Sequence, residues 1–166
     1  MSIVTLTTDF GAADPFVGVM KGVIVGRAPT ARVIDLTHGI PPQDVLAGAL
    51  VLRHSVAYFP RGTIHLAVVD PGVGSERRAL CVETTGALLV GPDNGLLSLA
   101  GPRSEIRRIT HLTEEHVFLS PRSATFHGRD LFAPVAAWIA DETFRSTQLR
   151  RRASCRSVSD RTIYRK

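Results

Sequence analysis

Residues 3–7 alternate between apolar and polar or β-branched positions, and the run stops at Asp9-Phe10-Gly11. A two-residue period predicts a strand with one face buried. Over 16–27 the apolar positions recur at helical spacing. Asp14 is placed to cap that helix, Pro15 to open it and Pro29 to close it. A second strand is predicted over 31–36, ending near Thr37-His38. Pro41-Pro42 then opens a helix over 43–58 that Pro60 stops, and a third strand covers 63–69. Residues 79–84 and 87–90 read as a strand pair joined at Thr85-Gly86, with Pro92-Asp93-Asn94-Gly95 as the next turn. One more strand and a short turn fall within 106–119. A helix follows over 130–140, with Pro134 near its start.

Strands alternating with helices predict an α/β domain, a Rossmann-like three-layer arrangement with helices on both faces of the sheet. Such sheets bind ligands outside the carboxyl ends of their strands. Asp9, His38 and Asp70 each follow a predicted strand end. A strand holds its last residue firmly, and the turn after it exposes the side chain.

The chain has 166 residues, 44% of them hydrophobic, enough for one domain with a real core. Its formal charge of +5 first suggests an acidic partner. From Asp141 onward, however, eight basic and three acidic side chains carry that whole excess, so residues 1–140 are formally neutral. Cys81 and Cys155 stand in no CxxC or Cys/His cluster, so neither a zinc site nor a secreted disulfide scaffold is predicted. No apolar run reaches the roughly 20 residues of a membrane span, and the start lacks a signal peptide's pattern. A cytoplasmic protein with no membrane association is expected.

Four stretches combine a polar residue with glycine where a turn is expected: TTDFG (7–11), VVDPGVGSERR (68–78), GPDNGLL (91–97) and TFHGRD (125–130). Of these, VVDPGVGSERR has the glycines of a phosphate loop but lacks the Lys-Ser/Thr of a Walker loop. Each stretch has a structural reading beside the functional one. Asp9 can cap the helix after it, and Asp70 can be a turn residue before proline. Asp93-Asn94-Gly95 suits a structural turn, and Arg129-Asp130 suits a local ion pair or cap. His38, His65 and His111 show no metal-ligand spacing.

In order, these stretches, together with DPFVGVMKG, IDLTHGI and TFHGRDLFAPVAAWIA, resemble the S-adenosyl-L-methionine (SAM) hydroxide adenosyltransferases over about residues 3–140. These are SAM hydrolases related to fluorinating and chlorinating enzymes. The resemblance implies displacement at the ribose C5′ by water-derived hydroxide, giving adenosine and methionine. SAM is then the substrate, and no cofactor or metal is expected. The family's Asp–Arg–His set falls on Asp70, Arg77 and His127. Arg77 is taken over Arg78 because the family's arginine lies seven residues after the aspartate. Asp9 matches the ribose-binding aspartate, Gly128 offers an N–H to water or an anion, and Asn94 is a further substrate-binding candidate. A guanidinium stays protonated, so Arg77 cannot be a base. His127 accepts a proton directly or through Asp70; the order of those steps stays open. Halogenating relatives have tyrosine where this chain has Asp70 and His127, which favours water over halide.

The family continues past the residue matching Ala140 into a second, β-rich barrel domain that contacts substrate across a homotrimer interface. Here 141–166 is basic, without apolar periodicity, and reads as loop or disorder, with the look of a truncated or frameshifted end. Two other readings follow: an inactive remnant, and a binding module whose Arg-rich tail contacts nucleic acid. The tail's single tyrosine, Tyr164, and its lack of a motif speak against nucleic acid.

Overall fold

The computed structural model describes residues 1–141. The expectations for the basic segment 142–166 lie outside the described residues. A six-stranded mixed sheet runs in the order β2-β1-β3-β5-β4-β6. Its strands are β1 Ile3–Thr8, β2 Arg32–Thr37, β3 Thr63–Val68, β4 Ala79–Thr84, β5 Ala87–Pro92 and β6 Ile106–His111. β2, β1, β3 and β5 are parallel, while β4 is antiparallel to both β5 and β6. Helices α1 Phe16–Arg27, α2 Val45–Ser55 and α3 Ala133–Ala140 complete the layers.

β3 is buried along its whole length, and its side chains divide between two cores. Ile64, Leu66 and Val68 join Met20 and Ile24 of α1 and Phe132, Ala136 and Ile139 on one face. Ala67 and Val69 join Leu52 of α2, Leu89 and Leu96 on the other. Alternate side chains of a strand point to opposite faces, so a strand covered on both sides is mainly apolar, and its two polar residues, Thr63 and His65, are hydrogen-bonded to Pro60 and Thr5. Each large apolar side chain so buried stabilises by about 1.5–3 kcal/mol. The predicted α/β sheet with helices on both faces is therefore present.

Three local predictions change. No side chain caps α1: Pro15 takes the N-cap position and its carbonyl accepts from the Val19 N–H at 2.9 Å. α2 begins at Val45 rather than 43, because Gln43 has φ of 64°, which no right-handed helix admits. Asp44 then caps it, accepting from the Ala47 N–H at 2.9 Å, and a single 3-10 turn, Val56–Tyr58, ends the segment. The last helix is preceded by one π-helical turn, Gly128–Phe132. Such turns recur at functional sites.

This topology gathers the four stretches at one edge. β1 and β3 are neighbours in register, Thr8 opposite Val68, so Asp9 and Asp70 extend past adjacent strand ends. β4 runs the other way, so its first residue, Ala79, pairs with Pro92 and brings Arg77 and Arg78 to the same edge.

Candidate active site

Arg77 joins the two other predicted catalytic residues. Its Nε lies 3.0 Å from both Asp70 oxygens, and its Nη2 also donates to Oδ2. Nη2 is 2.8 Å from His127 Nδ1. The pair is nearly closed to solvent, with side-chain exposures of 9% for Arg77 and 5% for Asp70. The guanidinium lies 5.1 Å over the Phe132 ring, a cation–π contact beneath the ion pair.

The geometry assigns the imidazole's protons. A guanidinium only donates, so His127 Nδ1 must accept, and a neutral ring then carries its hydrogen on Nε2. Burial, then the Arg77 charge, hold the His127 pKa below its ordinary value, and Asp70 offsets them only partly. His127 is thus a neutral Nε2–H donor, and its Nδ1 lone pair is occupied.

Two consecutive arginines serve different carboxylates. Arg78 pairs with Asp93, Nε to Oδ2 at 2.7 Å, while Arg77 faces Asp70. The side chain of Asn94 is also engaged within the protein: its amide donates to the Val69 carbonyl at 2.8 Å and accepts from the Leu96 N–H at 3.1 Å. That bond steadies the residue immediately before Asp70, so the geometry gives Asn94 a role in positioning β3's end. Arg129 and Asp130 form the predicted local ion pair, Nε to Oδ1 at 2.5 Å. Burial alone would raise the Asp130 pKa; Arg129 and the Ser123 N–H outweigh it, and the pKa is lowered.

Asp9 does not cap α1. Its Oδ2 accepts from the Gln43 N–H at 2.8 Å. The Gly11 N–H donates to the His38 carbonyl at 2.8 Å, and Thr8 Oγ1 is 2.8 Å from His38 Nδ1. His38 Nε2 lies 3.0 Å from Asp35 Oδ1 but off a hydrogen-bonding line. His38 therefore serves the loop that holds Asp9.

Sequence reasoning missed the aromatic floor. Phe10, Phe16 and Phe126 meet edge to face, with centroids 5.0–6.1 Å apart. They tie the Asp9 loop to the His127 turn. Gly128 sits where an added Cβ would lie 3.1 Å from Met20 Sδ and 3.2 Å from Phe10, so a side chain there would need both to give way. The signal was available: each phenylalanine adjoins a motif residue in TTDFG, DPF and TFHG.

A cavity of about 380 Å³ adjoins Arg77 and His127. A larger one, about 610 Å³, lies at the opposite edge of the sheet against Arg53, Phe59 and Thr84, away from this chemistry. Among the described residues no three His, Cys, Asp or Glu side chains converge as a metal-ligand group, and no helix is long and apolar enough to cross a membrane.

The sequence matches the family described as SAM hydroxide adenosyltransferase N-terminal domain over residues 4–149. The chain belongs to this family. The match runs past residue 140, where the motif resemblance had ended. A protein named (R)-S-adenosyl-L-methionine hydrolase from Salinispora tropica is 51% identical over 138 residues, 82% of this chain and 52% of that protein. A fluorinase from an Actinoplanes species is 22% identical over 161 residues, 83% of this chain and 54% of its own. A crystal structure of an uncharacterized conserved protein from Thermotoga maritima superposes with a TM-score of 0.79 at 39% identity, covering 83% of this chain and 54% of that one. The chain spans about half the length of the curated relatives it matches.

Proposed function

We propose that this SAM hydroxide adenosyltransferase domain activates water in the hydrolysis of SAM to adenosine and methionine. The observation that carries the reading is Arg77 shared between Asp70 and His127. The higher identity to the hydrolase than to the fluorinase favours water over halide.

In this reading, Asp9 holds the ribose diol through Oδ1 while Gln43 fixes Oδ2. Water sits between the Asp70 carboxylate and the His127 Nε2–H, and the Gly128 N–H is a further contact. Its oxygen attacks C5′, the C5′–S bond breaks and its electron pair stays on sulfur. The attacking water becomes an oxonium, a much stronger acid than any carboxylic acid, so a carboxylate is base enough to take its proton. Asp70 receives it and solvent removes it. Arg77 orients carboxylate and imidazole together, which matters because alignment of reacting groups lowers a barrier by up to roughly 7–11 kcal/mol.

The relatives are about twice as long, and the family resemblance implies a second domain that closes on the substrate from a neighbouring subunit. We propose the same trimeric closure for the whole protein. The described residues alone should bind SAM weakly, with Kd above about 100 μM, which corresponds to about 5.5 kcal/mol of binding free energy. Incubation of SAM with the chain in ¹⁸O-water, alone and mixed with a relative's second domain, tests the reading. Adenosine carrying one ¹⁸O at the 5′-hydroxyl is expected, chiefly in the mixture. Release of adenine, or adenosine without label, would overturn it.

A further inference from the structure

We propose that the 380 Å³ cavity beside the Asp70–Arg77–His127 set is a binding site for a small inorganic anion. The cavity forms where the loop after β3 meets the loop before the π-helical turn. Its lining includes Arg77, Arg122, His111 and His127, and no aspartate or glutamate. A concave wall with one sign of charge concentrates counter-ions.

The cationic groups have capacity left. Asp70 and His127 engage Nε and Nη2 of Arg77, which leaves Nη1 outside both interactions. Arg122 reaches Glu115 at 3.3 Å, with Arg122 itself 43% exposed and Glu115 81%, and such an exposed pair is weak. Arg77 and Arg122 both disfavour the charged form of the His127 ring, while Asp70 and Asp130 oppose them.

The hydroxyls contribute less. Ser75 Oγ donates to the Gly72 carbonyl at 2.6 Å, and Ser123 Oγ lies 3.2 Å from Thr125 Oγ1. Charge and size, rather than a fixed set of hydroxyl donors, therefore define the ligand: a halide or a compact oxyanion. The methionine end of SAM, with its sulfonium and ammonium, carries net positive charge and is repelled here. The walls do not yield easily, because Gly74 has φ of 78° and a Cβ there would stand 2.6 Å from the Ala124 carbonyl oxygen.

The claim is independent of the hydrolase reading, and failure of either leaves the other standing. The test follows the ring C–H resonances of His111 and His127 in the full chain during titration with chloride and, separately, inorganic phosphate. A bulky sulfonate holds ionic strength constant. Saturable shifts of both rings are expected with at least one of the two anions. Arg122→Ala should weaken binding roughly tenfold or more, the loss of one charge-assisted contact, while Arg122→Lys should retain most of it. Arg53→Ala, at the far cavity, should change nothing. The urea midpoint of each variant checks its fold, and Arg122→Gln, which also removes the charge, carries the comparison should Arg122→Ala not fold. Anion uptake by the Arg-rich stretch beyond residue 144 would leave both rings unmoved. Shifts that are absent, non-saturating, or unchanged when the Arg122 charge is removed would overturn the proposal.

Discussion

His65 and His127 are both held neutral, yet they occupy regions built for different ends. His65 lies fully buried in the middle of β3, its Nδ1 2.8 Å from Thr5 Oγ1 and its ring edge-on to Phe59. Burial alone pushes its pKa down to about 4, and its Nε2 has no hydrogen-bond partner. His127 stands on a turn beyond the sheet, where Arg77 occupies Nδ1 and so fixes the hydrogen on Nε2. The first arrangement makes a histidine part of the core. The other gives it a defined proton at a defined atom, at the edge where the parallel strands end. Sheets of this kind bind ligands at that edge.

The sharpest way to break the comparison is to remove what distinguishes the edge. Arg77→Met should leave Asp70 buried and unpaired, costing about 3–5 kcal/mol in urea unfolding. Arg78→Met, whose pair with Asp93 is more open, should cost about 1 kcal/mol or less. Equal losses would show that the two adjacent arginines are interchangeable structural cations.

The core histidine makes the next prediction. Its folded pKa lies below the unfolded value of 6.5, so below that value the unfolded chain binds a proton that the folded chain refuses. The stability contribution is therefore fully present above pH 6.5 and is lost as pH falls from 6.5 toward about 4. The loss should reach about 3 kcal/mol. His127 is shifted in the same direction and adds to the slope. His65→Gln should flatten the acid limb of a stability-against-pH curve far more than His127→Gln. The reverse order would mean that burial is not what separates the two regions.

The proton on His127 can be tested by activity. Gln at 127 can present an amide N–H near the ε position but cannot serve as a base. If the ring works as a donor that positions the water, His127→Gln should keep roughly tenfold more turnover than His127→Ala, the worth of one hydrogen bond. Equal losses would return His127 to the role of base. Asp9→Ala, by contrast, should raise KM by roughly ten- to a hundredfold with a smaller effect on kcat if, as proposed, it holds the ribose.

Much of this was legible before any coordinate. Alternation in 3–7 and the apolar run at 63–69 mark strands because burial on one or both faces writes itself into a two-residue period. The family resemblance, not the residues themselves, singled out Arg77 over Arg78; in the structure Arg77 pairs with Asp70 and Arg78 with Asp93. What could not be read were relations between distant segments. Nothing in GPDNG says that Asn94 reaches back to the Val69 carbonyl, or that Asp93 is taken by Arg78. Asp14 has the chemistry of a cap but not the position, since α1 begins with Pro15 in the N-cap place. The π-helical turn left no mark either, because its residues suit an ordinary helix equally well.

Gln43 carries the smallest expected effect. It is the one residue other than glycine with positive φ among those described, at 64°. In that conformation its N–H reaches Asp9 Oδ2 at 2.8 Å, and its carbonyl accepts from the Val45 N–H at 2.9 Å as α2 begins. A side chain in the left-handed region costs about 1–2 kcal/mol relative to glycine, which adopts it freely. Gln43→Gly should relieve that strain while keeping the backbone bond to Asp9. Glycine also gains entropy in the unfolded chain, an offset of about 0.4–1 kcal/mol, so the net gain should be at most about 1 kcal/mol. Gln43→Pro removes the N–H and demands φ near −65°, so it should both destabilise the fold and raise KM as Asp9→Ala does. Were Gln43→Gly instead to raise KM as much as Asp9→Ala without loss of stability, the glutamine side chain, and not the backbone bond, would be what serves the ligand.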